Sequence, residues 1–337
     1  MGGFIVRRLT FAVLIVLGIS LVTFVVAHAV PADPVRALAG SHATPSEVAA
    51  ARRAYGLDKP LPLQYLSFLW SLAHGDLGVS LLSKRPVLDD LTQYLPATIE
   101  LGVSALILTI IIGVPLGVLS ALGTGRAGRV ASYVARVPTL LGVAMPPFWL
   151  GLLAQAIVAG HFAALPLSGR LDVWNIPPPT VTGLYVVDSL LDGNPSLALA
   201  ALLHLILPAV TLSFGTIALL TRMIRASMLD VLSQDYIRTA RSKGLRGRVV
   251  LFRHAFRNTL VTSVTVVGLL TGYLLSGDFL VETVFSWPGI GNYGVNAAVN
   301  SDFPAIIGVT MLVAAVYVIV NLLVDLAYPL LDPRVAV

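Results

Sequence analysis

Long apolar runs, separated by polar and charged segments, dominate this chain. Because a helix needs roughly 20 mostly apolar residues to cross the hydrocarbon core of a bilayer, six runs qualify as membrane spans. They cover residues 9–29, 97–121, 133–159, 199–220, 259–280 and 304–328. Since no water is available at that depth, each run must bond its backbone internally. The pattern predicts an all-α integral membrane protein with six transmembrane helices.

Helix-interrupting residues occur in the second, third and fourth predicted spans. They are the stretch Gly113-Val114-Pro115-Leu116-Gly117, the pair Pro146-Pro147, and Pro208. Proline removes a backbone donor and kinks a helix, which membranes tolerate where neighbours or a watery cavity compensate. The interruptions indicate either a bundle that opens a central path or close helix packing through small residues.

The polar segment between the first two spans, residues 30–95, is predicted to be partly helical. Residues 44–47 read Thr-Pro-Ser-Glu, a helix-start pattern, and Gly56 is a typical helix stop. A second amphipathic helix is predicted over residues 62–74, followed by a glycine-rich turn over residues 75–80.

Composition and charge set the compartment and orientation. The chain is 56% hydrophobic and 12% charged, whereas charged residues make up about a quarter of a soluble domain. Positive charges gather in alternate loops, at Arg7, Arg8, Arg126, Arg129, residues 222–257 and Arg334. Because such loops stay in the cytoplasm, we expect a multi-pass protein of the cell (plasma or inner) membrane with both termini cytoplasmic. Topology explains the net charge of +5 without nucleic acid.

The first span has an alternative interpretation as a secretory signal. Arg7 and Arg8 precede an apolar run that ends in Ala27-His28-Ala29, which imitates a cleavage site. Since the apolar run exceeds the 7–15 residues usual for such signals, an uncleaved span is preferred.

A basic segment between Arg222 and Arg257 carries the main functional signal. It holds nine cationic side chains and, as acids, only Asp230 and Asp235. At its centre, residues 235–244 predict a short helix stopped by Gly244, with Tyr236, Ile237 and Ala240 on a small apolar face. The residues alone leave two roles open for this helix, docking on a partner protein or resting on anionic lipid. Its candidate contact residues are Asp235, Tyr236, Arg238, Thr239, Ala240, Arg241 and Gly244, and the family resemblance given below favours coupling to a partner.

Reactive motifs are absent from the sequence. There is no phosphate-binding Gly-Lys-Ser/Thr loop, no His-Glu-x-x-His pair, no Gly-x-Ser-x-Gly turn and no cysteine. The chain is therefore predicted to have no catalytic residue, no metal site, no cofactor and no ATPase activity of its own.

A few ionisable residues lie near the ends of the predicted spans. Charge in a membrane is costly and usually faces a pathway or a partner, although near an interface it also serves as a helix cap. Glu100 and Asp278 are the candidates for lining a pathway entrance. For Arg136, His204 and Asp325 no pathway role is assigned.

The chain resembles the permease subunits of dipeptide/oligopeptide/nickel-class ABC importers, specifically the B-type subunit. The resemblance is carried by residues 75–80, 95–101, 113–117, 146–151, 235–244, 253–258, 282–291 and 332–334. In this family a cytoplasmic helix with an "EAA" motif couples to the ATPase. Its Glu-Ala-Ala-x-x-x-Gly core falls here on Arg238, Thr239, Ala240 and Gly244, so the first two positions depart from the pattern.

The resemblance implies a type I ABC importer permease. Its regions would be residues 1–29 (cytoplasmic N-terminus and first span), 30–96 (an extracytoplasmic segment that helps receive the binding protein), 97–328 (core permease domain, with coupling loop 222–257) and 329–337 (cytoplasmic tail). The implied partners are a second homologous permease, two ATP-binding subunits that hold ATP and Mg²⁺, an extracytoplasmic substrate-binding protein and membrane lipid. The alternative is a stand-alone ion-coupled secondary transporter, but the paired midplane charges and inverted repeats typical of that class are not evident. Peptides are the expected cargo; nickel chelates, glutathione and haem stay open.

Overall fold

The protein is a bundle of helices. The computed structural model describes residues 2–29, 44–46, 49, 53, 58–122, 126, 129–130, 133–134, 145–161 and 165–331. The helices are α1 (Gly2–Ala29), α2 (Leu61–Ala73), α3 (Val87–Ala121), α4 (Pro147–His161), α5 (Tyr185–Leu191), α6 (Pro195–Leu232), α7 (Asp235–Ser242), α8 (Gly247–Val249), α9 (Arg257–Leu275), α10 (Phe279–Val284), α11 (Ile290–Val299) and α12 (Phe303–Leu331), with a π-helical turn, Val250–Phe256, between α8 and α9. Across these ranges, extended pairing is limited to one bridge between Val79 and Pro86, which confirms a mostly helical protein.

Four helices are long and apolar enough to cross a membrane. Their apolar stretches are Val6–Val26, Val87–Ala121, Pro195–Leu232 and Phe303–Leu326. A fifth span is formed if Gly247–Leu260 and Ser263–Leu275, whose axes differ by 50°, are taken together. The third predicted span is represented by α4, a shorter apolar helix, and residues 135–144, with Arg136, lie outside the described residues.

Several predicted boundaries shift. Helix α3 begins at Val87 rather than at residue 97, and α6 continues to Leu232, well past residue 220. Asn194 starts α6, because its side chain accepts a hydrogen bond from the Leu197 amide and Pro195 occupies the first turn. Arg222 and Arg225 therefore belong to a helix that projects beyond the apolar run. The fifth predicted span ends at Leu275, short of residue 280, and Gly277 follows at a φ of 82°.

Close packing of α3 on α6 forms the centre of the bundle. A Cβ atom on Gly117 would lie 2.7 Å from Ile224 Cβ, so only glycine permits this approach. The Thr109 and Thr216 hydroxyl oxygens lie 2.6 Å apart and bond across the same interface, as polar side chains do between membrane helices. Pro115 lies within the continuous helix α3. At residues 113–117, the observed geometry is that of helix packing.

Helix α1 packs along α12 in the opposite direction. The two are tied near one end by an ion pair between Arg8 and Asp325, with 2.8 Å between Nη1 and Oδ2. Of the predicted helix start at residues 44–47, Pro45 and Ser46 are helical. Glu47, Gly56 and Arg334 lie outside the described residues.

Candidate functional site

Helix α7 is anchored on its own chain by its apolar side. Ile237 and Ala240 are 0% and 7% exposed and pack into a core with Met228 and Val250. At the start of the helix, the Tyr236 hydroxyl accepts a hydrogen bond of 2.8 Å from the Asn258 side-chain amide. The apolar face predicted for a partner is thus occupied, apart from Tyr236, by the chain itself.

The C-terminus of α7 has the hydrogen bonds of a Schellman motif. Gly244 lies at a φ of 71°, and its amide donates to the Arg241 carbonyl at 2.9 Å. The Leu245 amide donates back to the Ala240 carbonyl at 3.4 Å. The helix stop predicted at Gly244 is present, and the left-handed backbone explains why glycine stands there.

The outward side of α7 is polar and largely unpaired. Asp235, Tyr236, Arg238, Thr239 and Arg241, all predicted coupling residues, are exposed, whereas Ala240 supports the helix from behind. Within the described residues, Arg238 is the one member of the nine-cation set with an ion pair, to Asp235 at 3.4 Å. Their side chains are 78% and 94% exposed, so water screens the pair and it contributes little.

The π-helical turn Val250–Phe256 links this basic surface to α9. Its buried residues Val250, Leu251 and Ala255 face the core beneath α7. Asn258, one residue into α9, bonds both Tyr236 and the His254 carbonyl. Segments of π-helix are rare and are often found at functional sites. Here the turn places α7 directly against the start of α9.

The opposite end of the bundle contains a buried ion pair. Arg170 Nη2 lies 2.6 Å from Glu100 Oε2, and both side chains are at most 7% exposed. The second Glu100 oxygen accepts from the Val186 amide at 2.9 Å, while the Arg170 guanidinium stacks 3.5 Å above the Tyr185 ring. Glu100 therefore fastens the loop before α6 to α3, and no free carboxylate is left at this position.

Asp188 organises the same loop. Its carboxylate accepts hydrogen bonds from the amides of Val181, Thr182 and Gly183 and from the Thr182 hydroxyl. Burial acts to raise the pKa of Asp188, but the Thr182 side-chain and backbone bonds prevail and lower it below its ordinary value. An ionised Asp188 is thus built into the loop.

Glu282 holds α10 and α11 against α3. Its carboxylate accepts from the Thr98 hydroxyl at 2.7 Å and from the Asn292 amide at 3.0 Å. Nearby, the Trp287 indole, 1% exposed, donates to the Ala97 carbonyl at 2.8 Å. Burial raises the pKa of Glu282 to about 7 against the opposing effect of these hydrogen bonds.

The other predicted pathway residue, Asp278, serves as a helix cap. Its side chain accepts from the amides of Leu280 and Val281 at 3.1 and 2.9 Å and so starts α10. Two more carboxylates, Asp90 and Asp302, are buried at this end and bond Tyr293 and Ser80. Glu100 and Asp278 both lie here, but each carboxylate is engaged within the chain.

A cavity of about 490 Å³ opens beside this assembly. It is lined by apolar residues that include Val158, Leu165 and Trp174, together with Asp172 and His204. The His204 Nε2 atom lies 3.6 Å from Asp172 Oδ1, and its Nδ1 lies 2.9 Å from the Ala200 carbonyl. Across the described residues, no group of three or more acidic, histidine or cysteine side chains is arranged to hold a metal.

Sequence reasoning missed the residues that complete these bonds, above all Arg170, Asp188 and Glu282. Arg170 had one usable signal, because it is the lone cation in its interspan loop. Glu282 had one too, because it begins the family stretch 282–291. Asp188 had none, since it looks like an ordinary loop carboxylate until the fold supplies its donors.

The chain belongs to the binding-protein-dependent transport system inner membrane component family. The family model matches residues 113–337, and the model of the N-terminal part of such membrane components matches residues 1–102. The basic surface around α7 lies within the first match, whereas α1 and the first part of α3 lie within the second.

Curated relatives cover nearly the whole chain. The probable D,D-dipeptide transport system permease protein DdpB of Escherichia coli (strain K12) is 46% identical over 96% of this chain and 94% of its own length. The dipeptide transport system permease protein DppB of the same strain is 41% identical over 98% of each chain. The di/tripeptide transport system permease protein DppB of Pseudomonas aeruginosa (strain UCBPP-PA14) is 40% identical over 99% of each.

Proposed function

We propose that the chain is the transmembrane permease subunit of an ATP-driven ABC importer for di- or oligopeptides. The main structural support for this function is the exposed cationic surface around α7, which Ile237 and Ala240 fix to an apolar helix bundle. Relatives named as dipeptide and di/tripeptide permeases support peptide cargo. The chain forms half of the translocation pathway and performs no chemistry on its cargo.

The energy source is a pair of separate ATP-binding subunits that carry ATP and Mg²⁺. They contact α7 through Asp235, Tyr236, Arg238, Thr239 and Arg241, all of which are exposed. Ala240 and Gly244 act indirectly, since Ala240 packs inward and Gly244 forms the stop. Because α7 is packed against the π-helical turn and α9, a displacement of the ATPases reaches the membrane helices.

The remaining partners are a second homologous permease and an extracytoplasmic substrate-binding protein. In this arrangement the bundle has six spans, both termini and loop 222–257 are cytoplasmic, and the Glu100–Asp278 end faces outward. Glu100 and Asp278 then shape the pathway entrance by fixing its loops and helices. Polar peptide crosses between the two permeases and avoids hydrocarbon, where each unpaired polar group costs several kcal/mol.

Charge reversal on α7 tests the docking surface. In Arg238→Glu/Arg241→Glu, the ATP-binding subunits should be lost from the purified complex and uptake of labelled dipeptide should stop. The matched control is Arg222→Glu/Arg225→Glu, which makes the same change in charge on the exposed side of α6, in the same basic segment but outside the five α7 residues proposed as the contact. Equal loss in both variants would show a general charge effect and contradict docking through α7.

Transport by the purified chain alone tests the importer class. In proteoliposomes, no dipeptide uptake is expected under a proton or sodium gradient, and uptake should require the ATP-binding subunits with ATP. Gradient-driven uptake by the isolated chain would instead establish a secondary transporter.

A further inference from the structure

Helix α2 is apolar on two sides, which is unusual for a segment expected outside the membrane. Its sequence, Leu61–Ala73, contains no charged residue. One side packs on α1, where the Tyr65 and Phe68 rings lie 5.3 and 5.9 Å from the Phe24 ring. None of its residues is buried, so α1 alone does not cover the helix.

The other side of α2 forms an exposed apolar strip. Leu63, Leu66 and Trp70 recur at helical spacing and are 52%, 60% and 70% exposed. The charged residues nearest in sequence, Lys59 and Asp76, lie beyond the two ends of the helix. Exposing such a strip to water is unfavourable, because burying one large apolar side chain contributes a free energy of about 1.5–3 kcal/mol.

Contacts with α1 fix the depth of α2. The Tyr65 hydroxyl lies 2.9 Å from Ser20 Oγ and 3.2 Å from the Leu17 carbonyl. At about 1.5 Å per residue, Leu17 lies roughly 13 Å below Val26, where the apolar stretch of α1 ends. The Phe68 ring stacks on Phe24, and Phe24 also precedes Val26. The contact with α2 therefore lies below the end of the apolar stretch even when the length of the Tyr65 side chain is allowed for.

Helix α12 gives a second measure of the same depth. The Arg8–Asp325 pair sets the level of the two antiparallel helices. Ser20 follows Arg8 by as many residues as Val313 precedes Asp325, so Ser20 and Val313 lie at about the same level. Val313 is well inside the apolar stretch Phe303–Leu326. The contact between α1 and α2 therefore lies below the end of both membrane helices.

We propose that α2 is embedded in the bilayer leaflet that holds the C-terminal half of α1, with Leu63, Leu66 and Trp70 inserted among the lipids. Val22 and Val25, at the same level of α1 as this contact, are also exposed apolar side chains, so the hydrocarbon layer that covers them extends over the strip. Helices can lie in the membrane interface with an apolar side among the lipids, and tryptophan is enriched at that level. A soluble protein partner does not reach a surface at this depth. The inference is independent of the transport function and gives part of segment 30–96 a place in the membrane.

Single cysteines provide the test, because the natural chain contains none. Leu66→Cys and Trp70→Cys replace exposed side chains and leave the packing on α1 intact. Val22→Cys on α1 is the lipid-facing control, and Val173→Cys, fully exposed in the loop before α5, is the water-facing control. The full chain is placed in lipid nanodiscs and labelled with a charged, membrane-impermeant maleimide.

Positions 66 and 70 should react at least about tenfold more slowly than position 173. The thiolate is the reactive form, and surroundings of low polarity raise the pKa of a thiol, so each unit of that rise lowers the thiolate fraction about tenfold. Nitroxide labels at 66 and 70 should match position 22 in being accessible to oxygen and protected from a water-soluble nickel complex. Labelling as fast as at 173 would overturn the proposal, as would protection that arises only after a soluble binding protein is added. Equal protection from oxygen and nickel would indicate a protein contact and also overturn it.

Discussion

The two ends of the bundle treat charge in opposite ways. At the Glu100 end, five carboxylates are buried and bonded within the chain, namely Asp90, Glu100, Asp188, Glu282 and Asp302. At the α7 end, nine cationic side chains are exposed, and one weak ion pair to Asp235 is formed among the described residues. The first end binds its carboxylates within the chain, whereas the second presents its cations to solvent or to another molecule.

This difference distinguishes a scaffold end, the Glu100 end, whose bonds hold the fold together, from the α7 end, which is the proposed contact surface. Buried hydrogen-bonded carboxylates hold loops in one arrangement, because breaking such bonds leaves a polar group without water. Exposed cations stabilise the fold little; under the proposed function, those on α7 contact the ATP-binding subunits. Substitutions at the two ends should therefore affect different properties: stability at the first, assembly and coupling at the second.

The largest expected effect is loss of the buried ion pair. Arg170→Met leaves Glu100 buried without its cation, which costs about 3–5 kcal/mol of folding free energy. Arg238→Met removes the exposed pair at the other end and should cost no more than about 1 kcal/mol. Chemical unfolding of both variants in detergent measures the difference, and similar costs would remove the contrast between the ends.

Glu282 should make the stability of the scaffold end depend on pH. Its folded pKa, about 7, lies above the ordinary value of 4.5, so the folded state keeps a proton that the unfolded state releases. The free energy of unfolding should therefore fall by up to about 3 kcal/mol as pH rises from 4.5 to 7, and level off above that. Glu282→Gln should flatten this dependence. A wild-type profile that rises with pH across this range, and loses that rise in the variant, would contradict the assignment.

At the α7 end, Gly244→Val should affect coupling more than stability. A β-branched residue at a φ of 71° is strained by about 1–2 kcal/mol, and the Schellman stop would be distorted. We expect continued ATP hydrolysis by the assembled importer with loss of peptide uptake. Gly247→Val is the matched control, because Gly247 has open space and no positive φ. Normal uptake by the Gly244 variant would show that the helix stop is dispensable.

The smallest effect is expected at Tyr236. Tyr236→Phe removes the hydrogen bond from Asn258, and because both side chains are exposed, water replaces most of it. The loss of stability should be about 0.5 kcal/mol, the lower limit for such bonds. A loss as large as that of Arg170→Met would mean that α7 is part of the scaffold.

Local patterns predicted much of this molecule. The apolar runs predicted the four helices that are long and apolar enough to cross a membrane, and a fifth span if the bent pair is one; the six spans stay a prediction. Residues 235–244 predicted both α7 and its glycine stop. The apolar face with Ile237 and Ala240 was predicted, but the pattern does not show that the chain itself covers this face. The coupling role of Ala240 stays a prediction. The buried carboxylates were out of reach, since Glu100 and Arg170 are 70 residues apart, and Thr98 and Glu282 are 184 apart. The functional role predicted for Glu100 and Asp278 stays a prediction.

Helix α6 connects the two ends without a break, from the Asn194 cap to Leu232. Its 38 residues form a rod of roughly 57 Å at about 1.5 Å per residue. A tilt of only about 5° would swing the far tip of such a rod by roughly 5 Å. A small rocking motion that starts beside α7 would thus arrive at the Glu100 end as a shift comparable to one helical turn.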